Sequence, residues 1–178
     1  MKSALWILNI FAAIALTTGC ATQITSDTAS QPTAEKVSTF SEFTTDYFTL
    51  KVPSDWQVIR AQGPQAPAFI SLINTNANAA FNLRITRSTL SIDDLCQLAA
   101  KGIVANRGDI YDGPSINYGT CKIKAHSPGG LDFKIRMRAY DDGDVAVINY
   151  LGDEEVVNKL LLNLEGNEKI MSLIAEPL

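Results

Sequence analysis

The 178-residue sequence has one histidine, three cysteines and no concentrated run of basic residues. With His126 as the single histidine, a multi-histidine metal site is excluded, and any Ser-His-Asp triad would depend on that residue. The sequence also lacks the nucleophile-elbow, phosphate-loop and zinc-protease motifs. Its net charge is −4 and its basic residues are scattered, whereas nucleic-acid binding needs a concentrated basic surface. We therefore predict no catalytic residue, no metal site, no cofactor and no nucleic-acid partner.

Long hydrophobic runs are also missing, and the most hydrophobic segment is at the start of the chain. Residues 4–16 (ALWILNIFAAIAL) follow Lys2 and are interrupted only by Asn9. A helix of that length extends about 20 Å, whereas the hydrocarbon layer of a bilayer is about 30 Å thick. A short positive region followed by a short apolar region predicts a cleaved secretory signal. An uncleaved membrane anchor is the alternative.

The residues that follow indicate where the leader is cut. The segment LTTGC places Leu16 four residues before Cys20 and the small Gly19 directly before it. This segment resembles the lipobox of bacterial lipoproteins, with Thr17 in place of the usual leucine. The resemblance implies cleavage between Gly19 and Cys20 and a thioether-linked diacylglyceride on Cys20. Two or more acyl chains anchor a protein stably to a membrane.

The lipobox resemblance also implies a location and a domain organisation. Ala21, rather than Asp, follows the cysteine, which is similar to lipoproteins that are delivered to the outer membrane and face the periplasm. Residues 21–42 are rich in Thr, Ser, Ala and Gln, a composition that cannot bury enough apolar surface to fold. We therefore predict a signal peptide over 1–19, a lipidated cysteine and flexible tether over 20–42, and one domain over 43–178.

Regular patterning begins at Phe43. Alternating apolar residues predict strands, and apolar residues at helical spacing predict amphipathic helices. Ser91 and Asp153 are suited to cap the two helices, each with acidic residues in the first turn. Residues 109–113 are typical of a loop, and 169–175 fit either a helix or a strand. The predicted strands are 47–52, 56–60, 68–74, 80–87, 116–125, 131–140 and 145–151, and the predicted helices are 92–105 and 154–165.

This order of elements predicts an α+β domain, with a mostly antiparallel sheet of about seven strands packed with two helices. The segment FTLKVPSDW, an alternating strand that ends in Pro53 before Trp56 opens the next strand, resembles the start of the Mog/PsbP-like α/β/α sandwich. That family includes bacterial DcrB-type lipoproteins. The resemblance implies a domain that binds partners without catalysis, and it supplies no catalytic residue.

If Cys20 carries lipid, two of the three cysteines remain. Cys96 and Cys121 then form an even pair in a compartment where thiols oxidise. Cys96 lies in the first predicted helix and Cys121 on the strand after it, and we predict a structural disulfide between them. Two separate buried thiols and a redox-active pair are the alternatives, although the redox pair lacks the usual C-x-x-C spacing.

Several other groups have a structural and a functional interpretation. Asp141–Asp144 (DDGD) is typical of a hairpin turn, and a weak metal site is the alternative. His126 fits a solvated turn residue, and the alternative is a general base. Lys134, Arg136 and Arg138 alternate as on the solvated face of a strand, or as a docking surface for an acidic partner or an anionic headgroup.

The leading functional hypothesis is a non-catalytic, lipid-anchored envelope domain that binds a protein partner or supports the envelope. The alternative is a small-ligand-binding or hydrolytic domain with a cleft near His126, in which an Asp and a Ser would have to lie within hydrogen-bond reach. Trp56 and Tyr47 are expected in the core and at a corner of the domain rather than as ligand-stacking side chains.

Overall fold

The computed structural model describes residues 42–175. Gly19, Cys20 and the predicted tether up to residue 41 lie outside this range. In chain order, the described elements are β1 (Glu42–Thr44), β2 (Phe48–Lys51), β3 (Gln57–Gln62), β4 (Ala68–Asn74), β5 (Ala79–Arg87), α1 (Ile92–Ala105), β6 (Asp109–Asn117), β7 (Thr120–His126), β8 (Asp132–Ala139), β9 (Asp144–Leu151), α2 (Glu154–Leu161), β10 (Leu164–Gly166) and α3 (Glu168–Ala175).

The strands form two sheets, and both are antiparallel. The larger sheet has seven strands in the order β3-β4-β5-β9-β8-β7-β6. The smaller sheet has the order β1-β2-β10. The predicted α+β class, with about seven antiparallel strands and helices packed on them, is confirmed.

One face of the large sheet forms the main hydrophobic core. Successive side chains of a strand point to opposite faces, so the alternation along β5 places Phe81, Leu83 and Ile85 on one side, each 0 % exposed. Phe81 pairs with Tyr150 on β9, and Leu83 pairs with Ile148. The helices α2 and α3 and the small sheet cover this face with the buried side chains Phe48, Leu50, Val157, Leu160, Leu164, Ile170 and Leu173.

The opposite face is covered by α1, which packs against β6, β7 and β8. The helix has the predicted bounds, and the side chain of Ser91 accepts a hydrogen bond from the backbone N–H of Asp94 at its start. Leu95, Ala99 and Ile103 recur at helical spacing and are buried. The side chain of Asp153 likewise accepts a hydrogen bond from the backbone N–H of Glu155 at the start of α2. Both predicted helix caps are confirmed.

The region after α1 differs from the prediction. Residues 109–113 are part of strand β6 rather than a loop, and the predicted strand 116–125 is interrupted by a turn at Tyr118 and Gly119. Both turn residues have positive φ, 49° and 77°, as a tight hairpin of type I′ requires at its two central positions. β6 is an edge strand with register shifts near Asp112 and Ser115. Its irregular pairing hides the alternation that identifies a strand.

The end of the chain also differs. The second helix ends at Leu161, and Leu164, predicted on its apolar face, instead lies on β10, where it pairs with Leu50 in the small sheet. This pairing buries Leu164 to 5 % exposure. The undecided element at 169–175 is helical and belongs to α3.

Candidate functional site

The cysteine pair is the best-defined chemical feature of the domain. Cys96 on α1 and Cys121 on β7 lie with their Sγ atoms 1.98 Å apart and their Cα atoms 5.7 Å apart, at disulfide distance as predicted. Cys96 is 1 % exposed and Cys121 is 0 % exposed. A thiolate must reach a sulfur atom to exchange with a disulfide, so this burial favours the structural role over the redox-active alternative.

His126 lies at the end of β7, on the surface. Its Nε2 is 3.5 Å from Oδ1 of Asp132, and the two side chains are 45 % and 54 % exposed. The ring of Tyr111 packs beside the imidazole, with 4.6 Å between the ring centroids. The adjacent Ser127 hydroxyl instead accepts a hydrogen bond from the backbone N–H of Leu131 within its own turn. The structure therefore brings His126 to one carboxylate but does not direct Ser127 toward it.

The DDGD segment forms a hairpin turn between β8 and β9, as predicted. The carboxylates of Asp142 and Asp144 both accept hydrogen bonds from the ammonium group of Lys169 on α3, and the contact with Asp144 is 2.6 Å long. The Asp144 side chain is 6 % exposed. Lys169 therefore occupies the position between the carboxylates that a cation would need. No group of three or more metal-ligating side chains capable of holding an ion occurs in residues 42–175.

The contacts of Lys169 shift the titration of this cluster. Burial lowers the pKa of Lys169, but its hydrogen bonds to Asp142 and Asp144 outweigh that effect and raise the pKa above its ordinary value. The same hydrogen bond from Lys169 lowers the pKa of Asp142. Each charged form is therefore stabilised by the other, and the cluster joins α3 to the turn between β8 and β9.

The basic row on β8 does not form the predicted solvated face. Arg136 is 4 % exposed, and its Nη1 donates a hydrogen bond to the backbone carbonyl of Leu173 at 3.1 Å. Lys134 forms an ion pair with Glu154 at the start of α2. The prediction of a solvated face is wrong because α2 and α3 cover this part of the sheet. The alternation of residues along β8 does not show which elements cover the strand. Arg136 consequently cannot serve as part of an exposed docking surface.

The aromatic residues of the corner are placed as predicted. Trp56 is 6 % exposed and belongs to the main core, and Tyr47 packs against that core. Trp56 also borders a depression of about 310 Å³ between α2 and the turn after β2, together with Pro53, Asp55 and Asn74. Asn74 is 2 % exposed and donates a hydrogen bond to Asp55 at 2.8 Å. Asn74 and Asp55 therefore bind each other within the domain.

A second depression of about 400 Å³ lies between α1 and β6. It is open and apolar, and it is lined by Ala100, Lys101, Val104, Ala105 and Ile110. His126 borders neither of these two depressions. Neither depression is lined by the convergent acid, base and nucleophile that a hydrolytic cleft needs.

Several exposed apolar side chains lie at the end of α1 and on the β6–β7 hairpin. Val104 at the end of α1 is 62 % exposed, and Tyr111, Ile116 and Tyr118 on the β6–β7 hairpin are 47 %, 37 % and 92 % exposed. Tyr111 packs beside His126, whereas Ile116 pairs with Cys121 on the side of the hairpin that faces α1. We therefore call the side chains of Ile116 and Tyr118 the hairpin surface. Aromatic side chains are enriched among the residues that dominate binding energy at protein interfaces. The sequence did not identify this surface, because residues 109–113 were interpreted as a loop and 116–125 as one continuous strand.

No protein-family model matches the chain, and no curated protein matches its sequence. Within residues 42–175, no helix has the length and apolar character needed to cross a membrane.

Proposed function

We propose that the chain is a bacterial lipoprotein, anchored through acyl chains on Cys20 in the cell envelope, with the folded domain facing the periplasm at the outer membrane. The lipobox-like segment LTTGC carries this proposal. The Cys96–Cys121 pair supports it independently, because disulfides persist in oxidising compartments outside the cytoplasm. With the third cysteine lipidated, no thiol of the mature chain would be left free to form unwanted disulfides.

We propose further that the domain has a non-catalytic role and binds an envelope protein partner through the hairpin surface. Tyr118, 92 % exposed at the tip of the β6–β7 hairpin, supports this role. An exposed aromatic ring can fill a pocket of a partner, and fixing its two side-chain torsions costs little conformational entropy. A sheet with helices on both faces also supports membership of the Mog/PsbP-like family, whose resemblance implies partner binding.

The hydrolytic alternative has less support. It needs His126 in a cleft with an Asp and a Ser, whereas His126 is 45 % exposed and Ser127 bonds to its own turn. An acid–base pair in open solvent lacks the enclosed environment in which such groups are effective catalysts.

Substitution of Cys20 tests the anchor. Cells producing the wild type, Cys20→Ala and the control pair Cys96→Ala/Cys121→Ala are labelled with an alkyne fatty acid and fractionated. We expect label and outer-membrane partition for the wild type and for the control pair, and neither for Cys20→Ala. Equal labelling and partition of Cys20→Ala would refute the anchor.

A photo-crosslinking amino acid at position 118 tests the partner. The matched control is the same amino acid at Glu155, which is exposed on the first turn of α2. We expect a discrete crosslinked protein band from intact cells at position 118, absent at position 155. The same set of bands at both positions, or no band at position 118, would count against the hairpin surface.

A further inference from the structure

The face of the large sheet that carries α1 is only partly covered. The helix packs on β6, β7 and β8, and β3, β4 and β5 continue beyond it. Cross-strand pairing places Arg60, Ser71 and Asn82 in one row on this side, and Gln62, Phe69 and Arg84 in the next. We call this part of the sheet the open face. Its outward side chains are more polar than those of the opposite side, where the same strands present Ile70, Leu72 and Leu83 to the core.

Two arginines of the open face lie against one aromatic ring. The guanidinium carbon of Arg60 is 5.2 Å from the centroid of the Phe69 ring, and that of Arg84 is 6.0 Å from it. A guanidinium group within about 6 Å of a ring centroid is attracted by the negative face of the ring. Phe69 thus holds two positive groups close together on the three strands β3, β4 and β5.

These two arginines have no acidic partner in residues 42–175. Other basic side chains of the domain, including Arg87, Lys124 and Lys134, have a carboxylate within ion-pair distance. The Nε of Arg84 is buried without a hydrogen-bond partner. Burial and the nearby charge of Arg60 both lower the pKa of Arg84. An arginine remains protonated even so, so the domain keeps two uncompensated and mutually repelling charges side by side.

Neutral hydrogen-bonding groups border the same spot. Ser71 pairs across the strands with both Arg60 and Asn82. The amide of Asn82 donates to the side-chain oxygen of Asn149 at 2.8 Å, which fixes its orientation. A hydroxyl group and two guanidinium forks on one face supply several donors and no carboxylate to repel an anion.

We propose that the open face binds a phosphate-type oxyanion between Arg60 and Arg84. Arginine forks match the oxygen atoms of phosphate and can bind two of them at once. An anion at this place would remove the repulsion between the two guanidinium groups. It would also be bound strongly for a surface site, because the partly buried Arg84 is less screened by water.

The oxyanion has two possible sources. Free phosphate and terminal phosphate monoesters offer three or four oxygens with up to two negative charges, whereas a phospholipid headgroup offers a phosphodiester with one. The headgroup source rests on the proposed membrane anchor, which would hold the domain near lipids. The free-phosphate source does not depend on the anchor, so a failed anchor and a failed oxyanion site would be distinguishable.

Titration of the full chain tests the site. The 15N-labelled protein in a non-ionic maltoside micelle is titrated with inorganic phosphate, and separately with glycerophosphoglycerol as a soluble phosphodiester headgroup, at constant ionic strength set by chloride. Chemical shifts of the backbone and of the arginine Nε–H groups report binding. We compare the wild type with Arg60→Gln/Arg84→Gln and with the control Arg87→Gln. Arg87 lies on the same strand as Arg84 but on the opposite side of the sheet, and its side chain is 78 % exposed.

We expect saturable shifts centred on Arg84 in the wild type and in Arg87→Gln, and affinity at least about tenfold weaker in the double variant, because charge-assisted hydrogen bonds are lost. Binding of phosphate alone would assign a free or terminal phosphate, and equal binding of the phosphodiester would assign a headgroup. Arg60→Gln alone, at an exposed side chain, provides a second test if the double variant folds poorly. Absence of saturable binding in the wild type, or unchanged affinity in the folded variants, would overturn the proposal.

Discussion

The two faces of the large sheet are stabilised in different ways. One face packs against α2, α3 and the small sheet through a continuous apolar core that includes Phe81, Ile148 and Leu173. The other face is covered by one helix over β6, β7 and β8, with a covalent bond between Cys96 and Cys121. The first face therefore depends on buried area, whereas the second combines a smaller interface with a crosslink.

This difference has a functional consequence. A crosslinked helix over half of a face leaves the remaining half free to present polar groups, and Arg60 and Arg84 lie there. On the fully covered face, the buried Arg136 instead donates a hydrogen bond from Nη1 to the carbonyl of Leu173.

Truncation of the main core should have the largest effect. We expect Phe81→Ala to lower the free energy of unfolding by about 3–5 kcal/mol, because a fully buried aromatic side chain is removed and a cavity remains. Chemical denaturation followed by circular dichroism measures the change. Ile59→Ala, at a side chain 61 % exposed, is the control and should change stability by no more than about 0.5 kcal/mol. Similar losses for both variants would contradict the assigned core.

Removal of the crosslink should have the next largest effect. We expect Cys96→Ala/Cys121→Ala to destabilise the domain by about 3 kcal/mol, chiefly because the unfolded chain is less restricted. Hydrogen exchange should show α1 losing protection while β4, β5 and β9 keep theirs. Reductant should weaken the wild type similarly and leave the double variant unchanged. The wild type is also unfolded and refolded in the presence of reductant. If its free energy of unfolding then stayed unchanged, the two sulfur atoms would not be bonded in the folded protein.

The ion cluster beneath α3 should contribute less. We expect Lys169→Met to cost about 2 kcal/mol, because the carboxylate of Asp144, 6 % exposed, would lose its ammonium partner. The control is Lys159→Met, whose ion pair with Glu155 joins side chains that are 71 % and 77 % exposed. Such an exposed pair contributes little to stability, because solvent and salt screen it. Equal effects in urea denaturation would contradict a special role for Lys169.

The same cluster predicts a dependence on pH. The pKa of Asp142 is lowered in the folded state, so its stabilising contribution is present above the ordinary value of 3.8 and is lost as the pH falls through the folded value. The pKa of Lys169 is raised, so its contribution is complete below 10.5 and is lost as the pH rises through the folded value. The stability difference between the wild type and Lys169→Met should therefore be level from roughly pH 5 to 10 and shrink at both extremes. If the stability difference instead changed steadily between about pH 5 and 10, titratable groups other than Asp142 and Lys169 would be responsible for it.

The cap of α1 should have the smallest effect of the series. Ser91→Ala removes the hydroxyl that accepts from the backbone N–H of Asp94 at 3.1 Å, and we expect a loss of about 1 kcal/mol. Ser54→Ala, at an exposed turn position, is the control. Thermal unfolding of the oxidised proteins measures both changes. No difference between the two variants would indicate that the disulfide alone fixes the start of α1.

The sequence predicted those elements whose local signals agree with their surroundings. The bounds of α1 follow from Ser91 and the apolar spacing of Leu95, Ala99 and Ile103, and the inward side of β5 follows from strict alternation. The cysteine pairing followed once Cys20 was assigned to lipid. In these regions local propensity and tertiary packing favour the same structure.

The missed features depend on contacts between distant residues. The burial of Arg136 requires α3, which follows it by more than thirty positions and could not be distinguished from a strand. The side chains of Arg60 and Arg84 lie near each other because of the register of β3, β4 and β5. The irregular edge strand β6, with Gly113 at φ 93°, shows no alternation to recognise. Sequence periodicity identifies an element but not the neighbour that covers it.

The N-terminal peptide of the mature protein tests the central claim most directly. Trypsin digestion of protein extracted from membranes without reductant should release residues 20–36, and mass spectrometry should find that peptide beginning at Cys20 with a thioether-linked diacylglyceride. The same digest should contain the Cys96 and Cys121 peptides joined by a disulfide. An N-terminus at Met1, or an unmodified Cys20, would contradict the lipid anchor.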